Sequence, residues 1–351
     1  MTGLQVLHVV RRYGPVGGME RYVWETTQAL AATGAVVEVL CEALHAPAPA
    51  GITVHQLGEI AARPRWLSLL RFSRRAARWL AANPVAGRII HSHERMGVHH
   101  VTTFHGPPFA TISERGWWRR ISIRVAAQLW LERRELCSPQ VRAVVPNSAM
   151  IAAQLARYYA CIGRRMAEPI PPAVTPGPQR PQRAVPADGG TIGFVGKEWK
   201  RKGLDIAIRI ATLLRQSRPN LNLLIVGPRE AEIRSLLSQS PVPARCAGWA
   251  DSASFYPEMD VLLHPARAEP YGMVIAEAMA AGVPVVVSDR CGIAPVVKGQ
   301  GYGAVLPLDA PPQEWSAACD AALSQAVPSP NYVREWGRVA EEYLSLYRTV
   351  R

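Results

Sequence analysis

The first half of this chain has no lysine and no aspartate. Residues 1–175 carry 21 arginines against 10 glutamates, a net of +11, whereas the remainder holds 19 basic and 17 acidic residues, only +2. A basic half beside a nearly neutral one is expected to face an anionic partner. No nucleic-acid-binding module accompanies the charge, so nucleic acid is not the expected partner. Long apolar runs are missing as well. None approaches the roughly 18 residues that would span a bilayer, and Gln5 to Val10 reads as a strand where a signal peptide would show an apolar helix-forming core. A soluble or peripheral, cytoplasmic protein is the expectation. Cysteine is sparse: six residues, at 41, 137, 161, 246, 291 and 319, with no C-x-x-C pair and no His/Cys ligand spacing. That pattern argues against a zinc site and a disulfide framework and leads us to expect reduced, mostly buried thiols. With 351 residues, 48% of them apolar, the chain exceeds one ordinary core and fits two domains of about 150 to 180 residues.

The most informative stretch is EPYGMVIAEAMAAGVPVVVSD, Glu269 to Asp289. It follows Asp260-Val261-Leu262-Leu263-His264-Pro265, which reads as a buried parallel strand ending in a turn. Gly272 to Ala281 has helical spacing and stops at Gly282, and Val283 to Val287 is a second buried strand. The order strand, loop, helix, strand puts the loop at the carboxyl side of a sheet, where open α/β sheets bind ligands. Gly272 permits close approach of the backbone, and the N–H groups of Gly272, Met273 and Val274 form a phosphate cradle. Glu269 in the loop and Glu277 on the helix can each accept hydrogen bonds from vicinal hydroxyls, one from a sugar and the other from a ribose. A solvated face with one helix-terminal charge is the other reading of two such glutamates.

Upstream, Gln5 to Val10 and Ala35 to Cys41 read as strands around a helix from about Met19 to Thr33, a β-α-β start. The intervening loop, GPVGGMER, holds Gly17 and Gly18 just before the helix. Arg65 to Ala82 is amphipathic and basic, with Trp66, Leu69, Leu70, Phe72, Trp79 and Leu80 among Arg71, Arg74, Arg75 and Arg78. A second such segment contains Trp117-Trp118-Arg119-Arg120-Ile121. Helices of this kind either lie in a membrane interface or pack an apolar stripe on the core with a solvated basic face. Five histidines, 91, 93, 99, 100 and 105, crowd the following strands, but their spacing is not that of a zinc site and no metal is expected. His105, at a strand's carboxyl end and followed by Gly106-Pro107, is the best placed of them to touch substrate, with Glu94 and Arg95 as weaker candidates. Prolines 171, 172, 176, 178, 181 and 186 mark a linker. After it, Thr191 to Gly196 reads as a strand leading into GKEWKRKGLD. Three of the chain's four lysines, Lys197, Lys200 and Lys202, cluster there with Arg201, and compact cations at a helix start suit a diphosphate. Leu221 to Gly227 is a further strand, and Arg229 just beyond it joins the candidate donor-binding residues.

The string from Glu269 to Glu277 closely resembles the Glu-x7-Glu motif of retaining GT-B glycosyltransferases of the glycosyltransferase 4 type. The GKEWKRKG loop, and Cys291-Gly292-Ile293-Ala294-Pro295 in place of a Gly-Gly-x-x-Glu form, are most similar to the branch that adds glucose to lipopolysaccharide core. The resemblance spans the chain, strong from Thr191 to Asp289 and looser before it; Pro171-Pro172-Ala173-Val174 departs from the family's Pro-Asn-Gly-Val. It implies an α/β architecture of two Rossmann-like doubly wound parallel-sheet domains with an interdomain cleft. The expected division is an acceptor-binding domain at 1–173, the linker at 174–190, a nucleotide-sugar-binding domain at 191–330, and a C-terminal helix at 331–351 that crosses back to the first domain.

The same resemblance implies roles. Glu269 orients the donor sugar, Glu277 the ribose and His105 the reacting end. Arg201 and Lys202, with Lys197 as a third cation, neutralise the leaving diphosphate, Gly17 and Gly18 lie between acceptor and donor phosphate, and Ala244 to Trp249 reads the base through its backbone. No Asp-x-Asp motif is present, so no metal cofactor is expected. The implied partners are a nucleotide sugar, UDP-linked, and a saccharide or glycolipid acceptor; two basic amphipathic segments in one basic domain add the expectation of peripheral contact with an anionic membrane, at the cytoplasmic face of the inner membrane. A nucleotide-sugar epimerase or a sugar phosphorylase can use the same architecture. A non-enzymatic membrane-surface scaffold is a third possibility, which leaves the Glu269–Glu277 stretch unexplained.

Overall fold

Strands buried on both faces are written in unbroken apolar residues, and this chain has two sets of them. The computed structural model describes residues 4–60, 63–114, 122–248, 254–301, 303–324 and 332–351, which divide into two compact units. The basic Trp117–Ile121 segment and Trp249 lie outside the described residues.

The first unit comprises residues 1–173 and 335–351. In order it runs β1 (Gln5–Val9), β2 (Arg12–Tyr13), α1 (Gly18–Ala32), β3 (Val36–Cys41), β4 (Ala43–Leu44), β5 (Ile52–Gln56), α2 (Arg65–Ala82), β6 (Ile89–Ser92), β7 (Val101–Phe104), α3 (Ile123–Cys137), β8 (Ala143–Pro146) and α4 (Ala149–Tyr158). Six strands form a parallel sheet in the order β5-β3-β1-β6-β7-β8, and β2 pairs with β4 as a small separate ribbon. Numbered within the sheet this is 3-2-1-4-5-6, the doubly wound order. Helix α2 turns Phe72 and Ala76 into a cluster with Leu7, Val9, Leu40 and Met96, while Arg71, Arg74 and Arg78 are exposed. Its apolar stripe therefore serves the core, and its basic face meets solvent.

The second unit, residues 174–334, repeats the plan. It contains β9 (Gly189–Val195), α5 (Trp199–Lys202), α6 (Leu204–Leu214), β10 (Asn220–Val226), α7 (Glu230–Leu237), β11 (Ala244–Gly248), β12 (Val261–His264), α8 (Met273–Ala280), β13 (Val285–Ser288), α9 (Ala294–Gln300), β14 (Gly303–Leu306) and α10 (Pro312–Ser324). Its parallel sheet is ordered β11-β10-β9-β12-β13-β14, again 3-2-1-4-5-6. The proline-rich stretch is tied down within this unit. Arg180 donates to Asp260 Oδ1 at 2.9 Å and to the Met259 carbonyl at 3.1 Å, and Arg183 reaches the same aspartate oxygen at 2.9 Å. Asp260 also accepts the Thr191 N–H at 2.9 Å, so one buried carboxylate gathers two guanidinium groups and the start of a strand.

The final helix, α11 (Trp336–Thr349), belongs to the first unit. It packs Val339, Ala340, Tyr343 and Tyr347 into the core that holds Tyr22, Val23 and Leu30 of α1. One expectation is corrected by the structure. The thiols of Cys137 and Cys161 are joined as a disulfide, with Cα atoms 5.7 Å apart, while cysteines 41, 246, 291 and 319 are free. The end of α3 and the loop after α4 meet in space, a proximity that the 24-residue separation does not reveal. Among the described residues no helix is long and apolar enough to cross a membrane.

Candidate active site

In each sheet the strand order reverses between its two central strands, β1 and β6 in one and β9 and β12 in the other. Ligands of open α/β sheets bind beyond the carboxyl ends at such points. In the second unit, β9 leads into the loop and short helix that carry Arg201 and Lys202, and β12 leads into the loop that carries Glu269. The two loops meet. Lys202 Nζ lies 3.0 Å from Glu269 Oε2, Arg201 Nη1 lies 3.4 Å from the same oxygen, and so does Nε2 of His264, the last residue of β12. Arg201 is fixed in turn by the Glu198 carboxylate, at 2.6 Å and 3.0 Å, and by the Ala268 carbonyl. Glu269 is only 8% exposed, and burial alone would raise its pKa. Lys202, His264 and Arg201 outweigh that burial and hold the carboxyl well below its ordinary range. His264, fully buried, is pushed down and stays neutral.

The spacing predicts one helix starting amid the lysines. The structure instead breaks it at Gly203, between α5 and α6, where φ is 80° and a Cβ would stand 2.1 Å from the Pro265 carbonyl oxygen. The backbone of the basic loop thus touches that of the segment leading to Glu269 where only glycine fits. Gly272 heads α8 with φ 112°, and the Ile275 N–H already bonds the Gly272 carbonyl at 2.9 Å. The N–H groups of Met273 and Val274 precede that bond and belong to the helix's unsatisfied first turn. Further along α8, Glu277 accepts a 2.7 Å hydrogen bond from Tyr256, a buried phenol that sequence reasoning did not single out. Lys197 stands exposed at the carboxyl end of β9. Arg229 is not drawn into the cluster: it caps α7, pairs with Glu232 at 2.9 Å, and its side chain is 81% exposed.

In the first unit, Gly17 caps α1, and a Cβ there would lie 2.4 Å from a Glu20 carboxylate oxygen. Glu20 itself is paired with Arg12, and nothing lies within 4 Å of a Cβ built at Gly18. His105 follows β7, its Nε2 2.9 Å from His93 Nδ1 and its ring edge-on to Tyr22. Burial pushes this imidazole down to about 3. His93 continues to His8, Nε2 to Nδ1 at 3.0 Å. Nitrogens of His8, His91 and His93 all lie within 4.8 Å of one another, a set able to hold a metal ion. The sequence did not show it because His8 sits on β1, and only the β1–β6 register places it beside His91. Of the weaker candidates, Glu94 accepts the Arg11 N–H at 3.2 Å, and burial raises its pKa to about 7. Arg95 is committed to the fully buried Glu132 at 2.7 Å, which also binds the N–H groups of Phe109 and Ala110.

Two family models match the chain: Glycosyltransferase Family 4 over residues 16–177, and Glycosyl transferases group 1 over residues 189–325. The D-inositol 3-phosphate glycosyltransferase of Segniliparus rotundus is 25% identical, over 93% of this chain and 80% of that protein. Among solved structures, WaaG, a glycosyltransferase involved in lipopolysaccharide biosynthesis, superposes with a TM-score of 0.80 at 20% identity, over 98% of this chain and 95% of that one. HepE of Anabaena, in complex with UDP and glucose, gives a TM-score of 0.66 at 18% identity, over 99% of this chain and 100% of that one. At these identities the structural likeness speaks to fold alone, and that fold is GT-B. The family models and the two 3-2-1-4-5-6 sheets agree: the protein belongs to the GT-B glycosyltransferases of the glycosyltransferase 4 type.

Proposed function

We propose that the protein is a retaining hexosyltransferase that moves a sugar from a UDP-linked donor to a saccharide or glycolipid acceptor. The observation that carries this reading is the convergence of Glu269, Lys202 and Arg201 beyond the carboxyl ends of β9 and β12. An ionised carboxylate and two cations in one half-buried place suit a ligand with hydroxyls at one end and phosphates at the other. The donor diphosphate takes Lys202, Arg201 and the first N–H groups of α8, with Lys197 and Arg229 as outlying cations. Glu269, released from its ion pairs, accepts hydroxyl protons of the sugar in hydrogen bonds. Glu277, oriented by Tyr256, takes the ribose. Gly17 and Gly18 let the backbone approach the donor phosphate, and His105 aligns the reacting end.

In the transfer step the bond from the anomeric carbon to the phosphate oxygen breaks, and the bond to the acceptor oxygen forms on the same face. The acceptor's proton passes to the departing phosphate. No carboxylate nucleophile takes part, and the cationic loop with the helix N-terminus supplies the charge stabilisation a divalent metal would otherwise give.

For the acceptor we favour lipopolysaccharide core or another cell-surface saccharide, met at the cytoplasmic face of the inner membrane through the arginine face of α2. WaaG's involvement in lipopolysaccharide biosynthesis supports this. A phosphorylated inositol is the second reading, supported by the Segniliparus relative and by the +11 charge of residues 1–175.

Thermal stabilisation by a metal-free panel of nucleotides and nucleotide sugars tests the donor. UDP and one UDP-sugar are expected to raise the midpoint, and Glu277→Ala to abolish the effect; no shift with any nucleotide would refute the reading. Glu269→Ala is expected to stay folded and to lower turnover by about 10²- to 10³-fold, the scale of a lost group that acts on the transition state. Turnover close to that of the unmodified enzyme would remove Glu269 from the site.

A further inference from the structure

At the carboxyl end of β12 stands an imidazole that no protein group satisfies. His264 is fully buried, and neither of its ring nitrogens has a hydrogen-bond partner among the described residues. Buried polar groups are almost always paired, so an orphan beside a candidate site calls for a reason. Its ring runs nearly parallel to that of Phe194 on the neighbouring strand β9, with centroids 6.3 Å apart. Its Nε2 lies 3.4 Å from Glu269 Oε2, a contact too long for a good hydrogen bond and short enough to become one.

Both residues are held by their backbone. The Ala266 N–H closes a tight turn onto the His264 carbonyl at 2.9 Å, and Ser288 Oγ donates to the Ala266 carbonyl at 2.7 Å. The Glu269 N–H donates to the Arg290 carbonyl at 3.0 Å, and the Glu269 carbonyl accepts the Gly292 N–H at 2.9 Å. The cations on Oε2, Lys202 and Arg201, are instead long side chains reaching over from α5, and in the reading above they go to the donor diphosphate. A carboxylate only 8% exposed that loses both cations would take up a proton and cease to be a good acceptor. The thiol of Cys291, whose segment bridges to Glu269, is pushed up to about 12 by burial, stays neutral and offers no compensating charge. Of the three groups gathered on Oε2, His264 is the one that a strand keeps in place when the diphosphate arrives. Oε1 makes no hydrogen bond among the described residues.

We infer that His264 is a positioning residue for Glu269: in the donor-loaded protein its Nε2–H closes onto Oε2 and orients the carboxylate, with Oε1 turned to the sugar hydroxyls. In the free protein Lys202 occupies that oxygen at 3.0 Å, and the imidazole waits. A neutral imidazole has a single N–H, and placing it on Nε2 leaves Nδ1 a bare acceptor. The inference rests on the proposed place of Glu269 at the donor sugar.

The test compares His264→Phe, His264→Gln and His264→Asn in the full-length protein. Calorimetry with UDP and with UDP-glucose is set beside hydrolysis of UDP-glucose across pH, with water standing in for the acceptor. His264→Phe keeps a ring beside Phe194 and removes both nitrogens. It is expected to leave the dissociation constant of UDP within about twofold and to lower kcat about tenfold to 100-fold, the scale of a lost hydrogen bond to a charged group. The acid limb of the kcat profile, which reports Glu269 in the loaded enzyme, is expected to move up by about one pH unit. His264→Gln sets an amide N–H near the position of Nε2 and is expected to recover both signatures. His264→Asn is one bond too short and is expected to behave as the phenylalanine variant. An unmoved kcat and acid limb in folded His264→Phe overturn the inference. Equal behaviour of the glutamine and asparagine variants also overturns it, and that contrast decides if the phenylalanine variant does not fold. A loss of UDP affinity as large as the loss of turnover would mark a merely structural role and overturn it too. In a Glu269→Ala background His264→Phe is expected to cause no further loss, and a further loss overturns the link between the two residues. If Glu269→Ala alone leaves hydrolysis unchanged, or the unmodified protein does not bind UDP-glucose, the placement of Glu269 at the sugar is what fails.

Discussion

At the scale of single residues, the glutamates of the candidate site are each held by a neighbouring side chain, Glu269 by Lys202 and Glu277 by Tyr256. Glu277 shows this in its simplest form. Its carboxylate accepts a hydrogen bond from the phenol of Tyr256, buried against Phe255. Tyr256→Phe keeps the packing and deletes only the hydroxyl. The loss of the hydrogen bond to this charged group is expected to weaken nucleotide binding by about tenfold to 100-fold. Titration calorimetry with the nucleotide checks this. An unchanged dissociation constant would mean that Glu277 needs no directing group. The same scale explains why Arg229 reads as a donor ligand in sequence yet stands apart. Its position after a strand is right, but Glu232, three residues on, takes its guanidinium.

At the scale of elements, the α5–α6 break is the feature that sets the geometry of the basic loop. A left-handed residue packed against the Pro265 backbone turns the chain sharply enough to bring Lys202 over Glu269. Gly203→Ala adds a methyl where there is no room and forces a conformation that alanine adopts at a cost of about 1–2 kcal/mol. It is expected to lower the unfolding midpoint by several degrees and to weaken nucleotide binding as well, read by calorimetry and thermal melts. Binding unchanged in the folded variant would show that the break is only structural. The strand-loop-helix-strand order around Glu269 was legible because parallel strands are continuous apolar runs and Gly272 punctuates them. The joining of Glu269 to Lys202 and Arg201 followed from resemblance, since Lys202 and Glu269 stand 67 positions apart. The cluster of His8, His91, His93 and His105 was not legible at all. His8, Thr103 and the pair Tyr343 and Tyr347, which surround it, come from three distant segments, and only the pairing of β1 with β6 and the docking of α11 bring them together. Similarly, α2 carried a pattern compatible with core or membrane, and only the packing of Phe72 and Ala76 shows where its apolar side goes.

At the scale of the whole molecule, buried titratable groups set opposite limits on stability. His8 and His99 are pushed down to about 3 by burial, and His91 and His93 well below their ordinary value. The unfolded chain takes up protons on these groups as pH falls through about 6.5, while the folded chain does not. Their contribution is therefore complete above that pH and declines below it by about 1.4 kcal/mol per pH unit for each group. Glu94 and Glu135 run the other way: burial raises them to about 7 and about 8. They favour the folded state below the unfolded value near 4.5, and that contribution declines as pH rises to 7 and 8. These histidines, joined by His100, His105 and His264, outnumber the raised carboxyls of Glu25, Glu42, Glu94 and Glu135, so the midpoint temperature is expected to peak near pH 6.5 and to fall on both sides. Glu135→Gln is expected to flatten the alkaline limb and to steepen the acid one. Thermal melts across pH 4.5 to 8.5 check both, and a midpoint that rises steadily with pH would contradict the assignment.

The first unit is closed by residues 335–351, although its sheet is complete by residue 146. A ribosome making this chain must therefore deliver the entire second unit before α11 emerges to cover Tyr22 and Val23. The second unit, continuous in sequence, is free to fold first. The earlier-made half waits with part of its core uncovered, and a nascent chain halted before residue 335 is expected to be the species that chaperones hold.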